Sequence, residues 1–125
     1  MIKLCLNSRD ELLIINLDTV AFLEANGNYT KLFYIEEKQQ VLISLGISKV
    51  EAMIRGALPK GKQSAFIRMG RSIIINQNYL CHINILKQRL TLSDCGKNVY
   101  HLNISKVLLK EYKDIIQKQY GDNNR

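Results

Sequence analysis

Ten short apolar runs follow one another along this chain, at residues 2–6, 11–17, 20–25, 29–35, 40–45, 65–69, 72–76, 79–86, 89–93 and 99–104. Asn, Gly, Asp and Lys punctuate them. Runs this short and numerous predict antiparallel strands that bury their apolar faces in small sheets packed as a sandwich. Alternation supports the assignment. In RLTLS, Leu90 and Leu92 share one face while Thr91 and Ser93 share the other. In VYHLNI, Tyr100, Leu102 and Ile104 alternate with Val99, His101 and Asn103, a split that also allows burial on both sides.

Two segments follow helical spacing instead. SKVEAMIRGALP places Ser48 and Glu51 at capping-box distance and stops at Pro59, and Val50, Met53, Ile54 and Ala57 fall on one stripe. That predicts one short helix lying on a sheet. SKVLLKEYKDIIQKQYG predicts a C-terminal helix over 105–120, with Ser105 as N-cap and Gly121 as stop. Its apolar stripe is Leu108, Tyr112, Ile115 and Ile116. Residues 121–125 are expected to fray. No Pro-rich, Ser-rich or repeated segment divides the chain, so a single domain over 1–125 is expected, at 125 residues large enough to bury a core.

The formal net charge of +7 points to a polyanionic partner. All eleven acids lie outside residues 52–93, and seven bases lie inside: Arg55, Lys60, Lys62, Arg68, Arg71, Lys87 and Arg89. The remaining eleven bases match the eleven acids, so the whole net charge sits in one central segment. A face that tracks phosphates has this distribution, and so does a face that is basic for solubility. No run approaches a membrane span and the N-terminus lacks a signal-peptide layout, so a cytoplasmic protein with no membrane partner is expected.

Cys5, Cys81 and Cys95 are too few and too scattered for a disulfide framework or a zinc pair, and reduced, mostly buried thiols are expected. His82 and His101 have no Cys or carboxylate at a motif spacing, and buried or half-buried structural roles are expected for all five Cys and His. Cys81 and His82 are adjacent and face opposite sides of a strand. With no phosphate loop and no paired-carboxylate signature, no enzyme, metal or cofactor is expected.

Two stretches remain. EANGNYTKLFY, residues 24–34, sets a sharp turn between apolar strands; Asn26 and Gly27 tolerate the positive φ of a tight hairpin. The same turn presents Asn28, Tyr29, Thr30 and Lys31. AFIRMGRSIIINQNYL, residues 65–80, carries Arg68 and Arg71 on opposite sides of an extended chain unless Gly70 bends it. Arg matches guanine edges and phosphates because its planar donors form two parallel hydrogen bonds.

Taken in order with LNISKVLLK, these stretches resemble the LytTR-type DNA-binding domain of bacterial transcription regulators, across residues 2–117. The resemblance implies an elongated, β-sandwich-like array of short antiparallel strands with a short helix. It implies sequence-specific binding of double-stranded DNA by loops that enter successive major grooves. Carried over by position, the contacts are the turn exit at Asn28, Tyr29, Thr30 and Lys31; Arg71 with Arg68 and Ser72; and Lys106 with Ser105. Gly70 stands where the family often has His, Ile73 where an aromatic is frequent, and Lys106 where Arg is common. A phosphate contact is therefore expected at Lys106. Family members often carry a receiver domain ahead of this one; here Met1 leads almost directly into the first strand, and no receiver is expected.

Each site residue also has an ordinary role open to it. Asn-Gly turns are commonplace, Tyr29 can simply pack, and Glu24 can accept N–H groups of the turn. Of the two arginines, the family position favours Arg71 for base reading and leaves Arg68 to hold phosphate or buttress a loop. Ser105 can cap a helix and expose N–H groups to an anion at once. The rival functions are a non-specific or RNA-binding basic module and a protein-interaction module docking through a strand edge or the C-terminal helix. A second copy on a repeated DNA site is the one protein partner expected.

Overall fold

In the computed structural model, which describes residues 2–36 and 39–121, all ten expected strands form. The chain divides into two compact units, Met1–Asn78 and Tyr79–Arg125. The first holds a five-stranded sheet and a two-stranded ribbon, the second a three-stranded sheet.

The first unit holds β1 (Lys3–Asn7), β2 (Leu12–Asn16), β3 (Val20–Asn26), β4 (Tyr29–Tyr34), β5 (Gln40–Ile43), helix α1 (Ile47–Ala57), β6 (Phe66–Met69) and β7 (Ile73–Asn76). Strands β1 and β2 form a two-stranded ribbon, and the others a five-stranded antiparallel sheet in the order β5-β4-β3-β7-β6. Register follows from the core. Leu23 pairs with Leu32 on one side and Ile74 on the other, which sets three fully buried aliphatics on one face of the sheet. Helix α1 packs against β1, β3 and β4 and adds Ile47, Val50 and Ile54 to that core, with Met53 and Ala57 beside them. Each such buried side chain contributes about 1.5–3 kcal/mol.

The start of α1 differs from the capping-box expectation. Gly46 is the N-cap, with no side-chain cap bond, and Ser48 lies inside the first turn. Burial of Ile47 explains the shift: the helix begins early enough to place Ile47, Val50 and Ile54 on one face. Gly at the N-cap costs only a few tenths of a kcal/mol relative to a polar cap.

The second unit holds β8 (Leu80–Asn84), β9 (Arg89–Ser93), β10 (Val99–Asn103) and helix α2 (Lys106–Tyr120). The sheet order is β10-β9-β8, and α2 packs on β8. Because β9 is central, Thr91 and Ser93 are buried along with Leu90 and Leu92. The Thr91 hydroxyl pairs with His101 Nδ1 at 3.0 Å, and Ser93 Oγ accepts the Cys95 N–H at 3.0 Å. On β10 the split is one-sided, with Leu102 buried and His101 and Asn103 exposed. Ser105 caps α2 through the Leu108 N–H, and Gly121 ends it at φ +64°. The buried stripe is Leu109 and Tyr112, flanked by Leu108 and Ile116, while Ile115 is 54% exposed. Leu109 and Ile115 lie about 120° apart around a 3.6-residue helix, so a face centred on Leu109 and Tyr112 leaves Ile115 outside. The fraying expected at 121–125 lies, beyond Gly121, outside the described residues.

The thiols and imidazoles depart from expectation. Cys5, Cys81 and Cys95 are all exposed, as are His82 and His101. Cys5 alternates with the buried Leu4 and Leu6 and so faces outward, and Cys95 sits in the loop between β9 and β10 at φ +65°. No helix among the described residues is long and apolar enough to cross a membrane.

The β9–β10 loop is organised by one carboxylate. Asp94 accepts from Asn98 Nδ2 at 2.7 Å, Gly96 N–H at 2.9 Å and Asn98 N–H at 3.3 Å. The Asn98 side chain first, then the Gly96 N–H, hold its carboxyl below the usual carboxylate range. A pKa lowered on folding stabilises the protein above the unfolded value of about 3.9 and loses that contribution as pH falls through the folded value. The gap in Tm between wild type and Asp94→Asn is therefore expected to be full at neutral pH and to close only below that range. Thermal melts across an acid series check this; a gap that is unchanged in acid would refute it.

Candidate functional site

Two hairpin tips meet at one end of the five-stranded sheet. The Leu23–Leu32 register centres the β3–β4 turn on Gly27 and Asn28, one residue later than the Asn26–Gly27 turn expected. Asn26 is the last residue of β3, paired with Tyr29. Gly27 takes φ +61° and Asn28 does not take a positive φ, the pattern of a type II′ turn. Strand β7 runs antiparallel beside β3, so its start lies next to this turn: Ala25 N–H donates to the Ser72 carbonyl at 2.8 Å. The β6–β7 connection is the three-residue loop Gly70-Arg71-Ser72, opened by Gly70 at φ +73°. Asn28, Tyr29, Arg71 and Ser72 are thereby brought to one edge, all exposed, Tyr29 at 47%.

The two arginines have opposite environments. Arg68 pairs with Ile74 and so faces α1, where Nη1 meets Glu51 Oε1 at 2.9 Å. Its Nε donates to the Gly70 carbonyl at 2.9 Å and its Nη2 to the Arg71 carbonyl at 2.8 Å. One planar fork thus ties a helix, a strand and the turn together. Of the two roles open to Arg68, this geometry is the loop buttress. Arg71 occupies the middle of that loop, exposed, and its guanidinium meets no acceptor among the described residues.

Two of the turn-exit residues are placed otherwise than expected. Thr30 is fully buried and its hydroxyl donates to the Leu45 carbonyl at 2.8 Å, so it holds the approach to α1 and offers nothing at the surface. Lys31 is half-buried and stands opposite Glu24 in the register. In the second unit, Ser105 and Lys106 are exposed where α2 begins, with no acid in its first turn. Free N–H groups at such a terminus favour an anion.

Sequence patterning missed two supports. Glu51 serves Arg68 rather than a cap, and Asn76, buried at the end of β7, donates from Nδ2 to the Val20 carbonyl at 2.9 Å and accepts the Asn78 N–H at 3.1 Å. Neither pairing has a local signal, because each depends on residues brought together by the sheet. Among the described residues no three His, Cys, Asp or Glu side chains are grouped to hold a metal.

Residues 10–117 match the family model described as the LytTr DNA-binding domain. Among solved structures, the LytTr DNA-binding domain of a Bacillus cereus protein classed as a methyl-accepting/DNA response regulator is similar over 97% of this chain and 98% of that one. The TM-score is 0.58 at 23% identity, a likeness of fold. No curated protein matches.

The fork geometry separates two contributions of Arg68. Arg68→Ala releases two loop carbonyls and leaves Glu51 unpaired, an expected loss of about 1–3 kcal/mol. Glu51→Gln keeps an acceptor and removes only an ion pair that is a quarter exposed, an expected loss under about 1 kcal/mol. Denaturant melts of the two variants check the order. Equal losses would assign the stabilisation to the ion pair and not to the loop.

Proposed function

The chain belongs to the LytTR family of DNA-binding domains, and on that premise we propose that it binds specific sequences of double-stranded DNA through its loops and acts as a bacterial transcription regulator in the cytoplasm. The observation that carries this reading is the Gly70-Arg71-Ser72 loop, whose Gly70 and Arg71 carbonyls are clamped by Arg68 while the Arg71 guanidinium at its centre meets no acceptor among the described residues. A guanidinium held on a fixed backbone has less freedom to lose when it meets a base, and it retains the geometry for a bidentate contact with guanine O6 and N7 in the major groove. Asn28 and Tyr29 stand at the same edge of the sheet and supply further polar contacts.

Lys106 contributes differently. A flexible ammonium at the first turn of α2, beside free N–H groups, fits a phosphate better than a base edge. A single small module contacts limited DNA, so two copies on a repeated site form the expected complex.

Selection of bound duplexes from a random pool tests the reading. The wild type is expected to enrich a short motif, and Arg71→Ala to lose about 1–3 kcal/mol of discrimination between that motif and scrambled DNA while keeping its fold. Undiminished discrimination would remove Arg71 from base reading; no enrichment by the wild type would end the assignment. Lys106→Ala is expected to weaken motif and scrambled duplexes alike, measured by titration of each. A loss at one base position would make it a base reader.

A further inference from the structure

The second unit carries a basic recess that the loops described above do not use. Lys87, Gln88 and Arg89 on the β8–β9 hairpin, with His101, Leu102 and Asn103 on β10, line a cavity of about 310 Å³. Among the described residues no carboxylate lines it, and neither Lys87 nor Arg89 has an acidic partner. Arg89 lies directly between Asn84 and Asn103 in the sheet register, so it rises from a polar floor. His101 commits Nδ1 to Thr91 and leaves Nε2 uncommitted among the described residues.

Backbone and side-chain hydrogen bonds fix the hairpin that forms the recess. Gln88 adopts φ +51°, a conformation that non-glycine residues rarely take. It is held there because its N–H donates to the Ile85 carbonyl and its carbonyl accepts the Ile104 N–H at 3.0 Å. Asn84 Oδ1 fixes the Lys87 N–H at 3.1 Å. The strained residue therefore sits between two cations and is fastened to Ile104, immediately before Ser105 and Lys106. That bond ties the cationic hairpin to the start of α2 within this unit.

We propose that this recess is a second DNA contact, a seat for backbone phosphate of duplex DNA with Arg89 and Lys87 as its charged ligands and Asn103 as a neutral donor. The inference rests on the DNA-binding reading and adds a site to it. Its chemistry favours duplex backbone over single strands. Among the described residues the lining holds no aromatic ring on which an unpaired base could stack; Arg89 stands on β9 and Lys87 in the turn that leads into it, a backbone-anchored pair of cations suited to a regular array of charges.

Salt dependence of binding to a random-sequence duplex is the test, since a phosphate seat needs no target motif. Replacing Lys87 and Arg89 together by Gln is expected to make the plot of log K against log salt shallower by about 0.9 for each phosphate no longer neutralised, roughly 1–2 for the pair. Lys113→Gln, on the exposed side of α2, removes a charge elsewhere and is expected to leave the slope unchanged. Thermal melts verify that each variant is folded. An unchanged slope in the double variant, with the wild type still binding, would overturn this site alone. Equal loss in Lys113→Gln would reduce it to bulk charge, and a larger loss on single-stranded DNA would overturn the duplex assignment. Failure of the wild type to bind any duplex would overturn both the site and the reading beneath it.

Discussion

Strand β3 is buried at Val20, Ala21, Phe22 and Leu23 in succession, so neither of its faces is open to water along that stretch. A strand in that position must have its backbone donors and acceptors satisfied by neighbours on both edges, because an unpaired buried amide costs as much as a lost hydrogen bond. Strands β4 and β7 meet that requirement, both antiparallel. The geometry of the outer hairpins then follows. The turn that leaves β3 and the turn that enters β7 have to lie side by side, which sets Asn28 and Arg71 at one edge although they are far apart along the chain.

Support and contact are divided between neighbours of similar chemistry. Arg68 and Arg71 are the same residue three positions apart, yet one commits its fork to Glu51 and two loop carbonyls while the other meets no acceptor among the described residues. Thr30 is fully buried two positions after the exposed Asn28. Such a division is economical in entropy: the residues that fix the backbone are not the residues left exposed at the surface, so neither arrangement compromises the other.

The strands were legible because their physics is local. Alternation and turn residues suffice to locate runs such as Leu90–Leu92, and the apolar stripe of α1 is visible in Val50, Met53, Ile54 and Ala57. The order of motifs was legible through their resemblance to a family. What escaped was non-local. Thr30 looks like a surface hydroxyl until Leu45 is folded against it, and Glu51 looks like a capping partner until β6 delivers Arg68. The exposed cysteines escaped for a related reason: Cys is usually buried, but Cys5 obeys the alternation of its strand, not the preference of its residue type.

The Arg68 fork grips the carbonyls of Gly70 and Arg71, not their side chains. Every amino acid has a carbonyl. The clamp is therefore indifferent to which side chain stands at position 71, while Gly70 alone is tied to its identity by a left-handed backbone. Under the proposed base-reading role of Arg71, a single replacement there would change the letter recognised without rebuilding what holds it in place, and target sites could drift over generations while the architecture stayed still.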